Sequence, residues 1–159
     1  MWWIVAMIIA IEELARHADF AAKARPYRDS IKRHAKAAGV PAPVLAALIW
    51  QESRFNPSAV GTSGERGLGQ LLPGAASDIG ASWSELSDSQ NIEAQVSAAA
   101  RFLALQIHRS GGDLFHGLRA YNGGAAGAKK NPGLSASYAT SILGNSALDF
   151  IYSFGGEFA

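Results

Sequence analysis

Residues 42–57 read APVLAALIWQESRFNP, and one carboxylate in them decides how the chain is read. Leu45, Leu48, Ile49 and Glu52 stand at i, i+3, i+4 and i+7, so three aliphatic side chains and one acid share a single stripe of a helix. Burying an ionised carboxylate is costly. An acid on that stripe either swings into solvent from the helix end or holds its proton to higher pH than usual. A carboxylic acid still protonated near neutrality is what general-acid chemistry requires. Geometry alone leaves both readings open.

On the C-terminal side this helix runs into a polar loop between Phe55 and Gly69, punctuated by Asn56-Pro57, Gly61, Gly64, Gly67 and Gly69. A long helix is expected from about Asn91 to Arg109, because Ile92, Val96, Ala99, Leu103 and Ile107 recur at spacings of four and three. Gly111-Gly112 ends it, and Asp113 caps a short helix reaching Tyr121. Asn122-Gly123-Gly124 reads as a turn, the segment to Pro132 as loop, and the remainder from about Ala136 to Phe154 as a last helix. On the N-terminal side, Arg25-Pro26 breaks a first helix, since the residue before proline avoids helical angles. A second helix spans Tyr27 to Ala38 with Gly39 as its stop. Pro41 and Pro43 then lie near the start of the next helix, where proline is tolerated. No run alternates with a period of two. The expected fold is mainly α.

The 159 residues make one domain the default. A net charge of +1, from 14 basic and 13 acidic residues, leaves no basic footprint for nucleic acid. The absence of cysteine excludes disulfides and thiolate metal sites. His17, His34, His108 and His116 are scattered without ligand spacing, so no metal is expected. GERGLG at 64–69 is formally Gly-rich, but no strand precedes it and no Lys-Ser/Thr follows, which argues against a phosphate loop. Residues 1–11, MWWIVAMIIAI, are apolar until Glu12-Glu13. That run is well short of the roughly 20 residues a spanning helix needs, and it lacks the basic start and cleavage site of a secretory signal. It reads as a helix buried or packed on a partner, or as an interfacial anchor with Trp2 and Trp3 at headgroup level.

The stretch ESRFNPSAV at 52–60, followed by GERGLGQLLPGAA at 64–76, resembles the signature of the lytic transglycosylases, lysozyme-like enzymes that cut bacterial peptidoglycan. Their pattern is roughly Glu-Ser-x-Phe-x-Pro-x-Ala, a Gly-rich loop, then Gly-Leu-Met-Gln-x-x-Pro-x-x-Ala. Glu52, Ser53, Phe55, Asn56, Pro57 and Ala59 match the first block, and Gly64, Gly67, Leu68, Gln70, Pro73 and Ala76 the second. Asn91-Ile92 before a long helix, RAYNGG at 119–124 and SYATSIL at 137–143 resemble the later blocks, in the same order, over about residues 40 to 145. The sequence departs from the pattern at Gly69, where Met is usual, at Glu65, where a small residue is usual, and near Gly61, where Ser is common. GERG also resembles, more weakly, the Gly-Asp-Arg-Gly loop of goose-type lysozymes, which are hydrolases.

The resemblance implies a lysozyme-like helical domain with a substrate cleft over residues 40–159, preceded by a helical extension at 1–39. It makes Glu52 the catalytic acid and base. Ser53, Gln70, Tyr121 and Asn122 would serve substrate binding, with Tyr138 approaching the Glu52 carboxylate. Cleavage would fall between MurNAc and GlcNAc, leave a 1,6-anhydro-MurNAc end and need no metal or organic cofactor. A hydrolytic muramidase would instead use Glu65 as a second carboxylate. A third alternative is a non-catalytic glycan-binding or structural component of a virion. The expected partner is bacterial peptidoglycan, reached from a phage particle or after delivery to the periplasm. Residues 1–24 would meet a membrane or a virion protein.

Overall fold

The computed structural model of the chain describes residues 1–154, apart from the side chains at 125–126 and 145–154. Helix α1 (Trp2–Ala24) passes through one 3-10 turn (Arg25–Tyr27) into α2 (Arg28–Ala38). The interruption falls where Pro26 was expected to place it but is shallow. Arg25 keeps helical angles (φ -50, ψ -46), and Pro26 lies in the first turn of the 3-10 segment, where a missing N–H does least harm. Gly39 ends α2 in the left-handed region (φ 70, ψ 29), and the Val40 N–H returns to the Ala35 carbonyl at 3.0 Å.

Helix α3 (Ala42–Ser53) is the buried helix of the bundle. Val44 to Ile49 are all buried, and Leu45, Leu48 and Ile49 keep no exposed surface. Burial of each such side chain stabilises the fold by about 1.5–3 kcal/mol. After α3 come two short helices, α4 (Pro73–Asp78) and α5 (Trp83–Ser87), then α6 (Ile92–Arg109), α7 (Leu114–Lys130) and α8 (Pro132–Phe154). Helix α3 packs on α8, α2 and α6, while α6 packs on α2 and α7, and α7 on α8. Asn91 caps α6 through the Ala94 N–H (3.2 Å), and Asp113 caps α7 through the His116 N–H (2.8 Å).

The C-terminal half of α1 joins the core through Phe20, whose ring meets Trp50 and Phe55 edge-on at 5.4 Å, while Tyr27 stacks on Phe55 at 5.6 Å. Trp50 is therefore a packing residue. Lys23 and Arg54 lie over its ring at 5.6 and 4.5 Å. The N-terminal half of α1 differs: residues 1–14 are exposed around the whole helix, with Trp2 at 90% and Trp3 at 68%. The apolar run is thus not buried within this chain. Among the described residues no helix is long and apolar enough to cross a membrane.

Three segments depart from the sequence expectation. Helices α4 and α5 occupy a stretch where no helix was expected, started by Pro73 in a first turn and by Ser82, whose hydroxyl accepts the Glu85 N–H at 3.4 Å. Residues 125–130 are helical rather than loop. Gly124 (φ 65, ψ 172) kinks α7, and the Ala- and Lys-rich segment after it resumes the helix. Helix α8 starts at Pro132, ahead of the expected Ala136, because proline is pre-organised for a first turn.

Candidate active site

The chain reverses immediately after Glu52. Arg54 and Phe55 both take left-handed angles (φ 54 and 59), a costly conformation for residues with a Cβ. The buried Phe55 ring, held among Phe20, Tyr27 and Trp50, stabilises it. The loop that follows is tied by pairing of Arg66 with Leu71 (2.9 and 3.2 Å) and by Gly61 N–H to the Glu65 carbonyl (2.9 Å). With α3, α4, α6 and α7 it encloses a cleft of about 750 Å³, lined by Glu52, Glu65, Gln70, Tyr121 and Asn122 among others.

Glu52 stands in the last turn of α3 and lines this cleft. Burial pushes its pKa from the ordinary 4.5 up to about 7. The Tyr138 hydroxyl, on α8, donates to Glu52 Oε1 and opposes the rise, while the negative charge of Glu65 adds to it. The outcome shows which influence dominates. Removal from water outweighs the hydrogen bond, so the group titrates near neutrality and can both give and take a proton there. Tyr138 and Tyr121 are themselves raised well above the usual phenol range, by burial first and then by the Glu52 charge, so both remain donors.

The other sequence-predicted residues divide by where their polar atoms go. The Tyr121 hydroxyl donates to the Gly69 carbonyl at 2.8 Å and its ring rests edge-on against Phe102 at 5.1 Å, so it is a rigid wall. Gln70 lines the cleft in a left-handed conformation (φ 46), and its amide N–H groups go to the Ala59 and Gly67 carbonyls at 3.1 and 2.9 Å. Asn122 is exposed at the rim. Ser53 is not among the lining residues. Its hydroxyl is shared between the Ile49 and Leu68 carbonyls at 3.1 and 2.9 Å, which fastens the loop to α3. The Glu65 carboxylate folds back over Gly61 and accepts the Ser63 N–H at 2.9 Å. Among the described residues no cluster of His, Asp and Glu could hold a metal ion.

The helical bundle agrees with the comparisons to known proteins. The description "Transglycosylase SLT domain" matches residues 29–145. The chain belongs to the SLT transglycosylase family. It is 33% identical over 112 residues to the peptidoglycan transglycosylase gp16 of Escherichia phage T7, covering 69% of this chain but only 8% of that protein. Its fold matches an inactive mutant of the lytic transglycosylase Slt of Pseudomonas aeruginosa (TM-score 0.65, 20% identity, 77% of this chain and 24% of that one). It also matches the 70-kDa soluble lytic transglycosylase SLT70 of Escherichia coli (TM-score 0.67, 22% identity, 82% and 24%). A further match is the complex of the 70-kDa soluble lytic transglycosylase with bulgecin A (TM-score 0.68, 22% identity, 82% and 25%). The chain therefore spans less than a tenth of the phage relative and about a quarter of the structural ones.

Gly69, where the SLT pattern usually has Met, has a packing explanation. A Cβ there would lie 2.8 Å from both Ala99 Cβ and the Tyr121 hydroxyl, so the loop backbone meets α6 without room for a side chain. The residue that sequence reasoning missed in this SLT loop is Gln95. It is 3% exposed, accepts the Leu68 N–H at 2.8 Å and donates to the Pro57 and Asp88 carbonyls at 3.1 and 3.0 Å. Gly67 (φ 71) sits against it, since a Cβ there would come within 2.6 Å of the amide. The signal was available. Gln95 lies three residues after Ile92 and four before Ala99, a polar side chain on an apolar stripe, which is the same anomaly that drew attention to Glu52. Asp78 also lines the cleft and pairs with Arg109 at 2.8 Å.

Proposed function

We propose that this domain cleaves the glycan strand of bacterial peptidoglycan by lytic transglycosylation, with Glu52 as its one acid and base. The observation that carries the reading is one carboxylate, Glu52, raised to about 7 by burial and lining the cleft of an SLT-family domain. Protonated Glu52 gives its proton to the glycosidic oxygen between MurNAc and GlcNAc as the C1–O bond breaks, and the 2-acetamido group of MurNAc stabilises the positive charge at C1. Ionised Glu52 then takes the proton of the C6 hydroxyl as that oxygen bonds to C1. The product is a 1,6-anhydro-MurNAc end, the carboxylic acid is restored and no water is consumed. An internal nucleophile supplies a high effective molarity, so one carboxylate suffices. Tyr138 holds the carboxylate in place. Tyr121, Gln70 and Asn122 shape the cleft, Tyr121 and Gln70 from hydrogen bonds to the loop backbone and Asn122 from the exposed rim.

The test is mass spectrometry of products released from purified peptidoglycan by the wild-type chain and by Glu52→Gln. Anhydro-MurNAc ends from wild type alone are expected. Reducing ends, heavier by one water, would overturn transglycosylation in favour of a hydrolase. Glu65 is favoured as the second carboxylate of that alternative because it lines the same cleft. Products from neither protein would favour a glycan-binding or structural role.

The similarity to a phage protein named as a peptidoglycan transglycosylase supports action on the wall during infection, from the particle or after delivery to the periplasm. Residues 1–24, whose first half exposes apolar side chains on all sides, would supply contact with a virion protein or a membrane surface. Flotation with vesicles and pull-down from virions, each with and without this segment, separates the two partners.

A further inference from the structure

One buried polar side chain in the cleft has no task in the chemistry above. Gln106 is only 4% exposed, borders the cleft, and among the described residues its side-chain amide has no hydrogen-bond partner. Gln95, its counterpart nearer the other end of the same helix, is equally buried and has three such partners. With no partner among the described residues, the Gln106 amide keeps its contact with water at the cleft it lines. A ligand that enters the cleft and displaces that water must supply hydrogen bonds in its place.

The surroundings narrow the ligand. Phe102, Gln106 and Ser110 follow one another at four-residue spacing along the cleft face of α6, with Arg109 beside them in its ion pair to Asp78. Phe102 packs on Tyr121, whose environment feels the Glu52 charge, so Gln106 lies one helical turn, roughly 6 Å, beyond the Phe102 position along α6. A primary amide offers one carbonyl acceptor and an N–H donor side by side. Its natural complement is a secondary amide presenting the reverse pair, and the adjoining Phe102 ring edge gives apolar surface for a methyl group. We propose that Gln106 recognises the 2-acetamido group of an amino sugar bound next to the one at Glu52, which makes it a specificity-determining residue for N-acetylated strands. This inference rests on the glycan-cleaving reading of the same cleft.

The test uses the full chain carrying Glu52→Gln, which holds ligand without turning it over, and two neutral probes. Chitotetraose carries acetamido groups, and cellotetraose has hydroxyls in their place. Titration calorimetry is expected to show chitotetraose binding at least tenfold more tightly. Adding Gln106→Met, which keeps the side chain's length, is expected to weaken chitotetraose about tenfold and cellotetraose by less than twofold. Gln106→Asn, which withdraws the amide by one methylene but keeps the site polar, should act in the same direction. Thermal melts of each variant establish that it is folded. An unchanged ratio of the two affinities in both folded Gln106 variants overturns the inference while leaving the glycan reading intact. Equal affinity for the two sugars in the parent does the same. Binding of neither sugar by the folded parent overturns the glycan reading and the inference with it.

Discussion

Replacing Glu52 by Gln should stabilise the protein while disabling it, and the gain should depend on pH in a calculable way. In the native state the carboxyl titrates at about 7 rather than at the 4.5 it has when solvated. A raised native pKa means that the folded chain holds this proton more tightly than the unfolded chain does. The stabilisation from that proton is complete below 4.5, declines as pH rises, and is lost above about 7. At 1.36 kcal/mol per unit the difference is roughly 3 kcal/mol. Gln is neutral throughout and its carbonyl still accepts the Tyr138 hydroxyl, so it avoids the charge-burial cost. The Glu52→Gln protein should match wild type near pH 4 and exceed it by roughly 2–3 kcal/mol at pH 8, or roughly 5–10 °C in melting temperature for a chain of this size. Lytic activity should fall by roughly 100- to 10,000-fold, the usual contribution of a general acid and base. Thermal melts of both proteins from pH 4 to 9, paired with clearing of a peptidoglycan suspension, measure both effects. Melting curves that stay parallel across that range would refute the claim that burial holds the Glu52 proton. An active Glu52→Gln enzyme would remove the residue from the chemistry.

Activity should decline above about pH 7 as Glu52 loses its proton, and its neighbours should move that limit in opposite directions. Tyr138→Phe removes a bond that favours the ionised form, so the alkaline limb of the pH–rate profile should shift to higher pH while kcat falls. Glu65→Gln removes a like charge, so the limb should shift to lower pH, with anhydro ends still the product by mass spectrometry. Gln95→Leu strands the Leu68 N–H and two carbonyls beneath the loop. Urea titration should register a loss of roughly 2–4 kcal/mol, and KM should rise as the loop loosens. Gly69→Ala drives a methyl into Ala99 and the Tyr121 hydroxyl, costing roughly 1–3 kcal/mol in the same titration.

Local rules carried much of the architecture. Helices α2, α3 and α6 stand close to where periodicity, Gly39, Pro43 and Asn91 place them, because caps and apolar spacing act within a few residues of chain. The acid was legible for the same reason: Glu52 interrupts an apolar stripe, and its position on that stripe is set by the helix alone. The same rules did not recover α4 and α5, which are too short for a periodic signal, nor the helical run after Gly124, where a glycine turn marked a kink rather than an end.

How tightly the carboxylate holds its proton is decided by the tertiary structure. The stripe of α3 can hold Glu52 out of water only because the loop and α6, α7 and α8 close around it. The Tyr138 hydroxyl that meets it comes from a residue 86 positions away. The Ser53 hydroxyl and the Gln70 amide N–H groups hold the loop by its backbone carbonyls. Gln95 and Gln106 lie on one helix face with the same chemistry and opposite fates, one satisfied by the loop and one left open to the cleft. A sequence specifies which groups exist and which face of a helix they share. Desolvation and hydrogen-bond partnership belong to the space between elements, and only the packed chain defines that space.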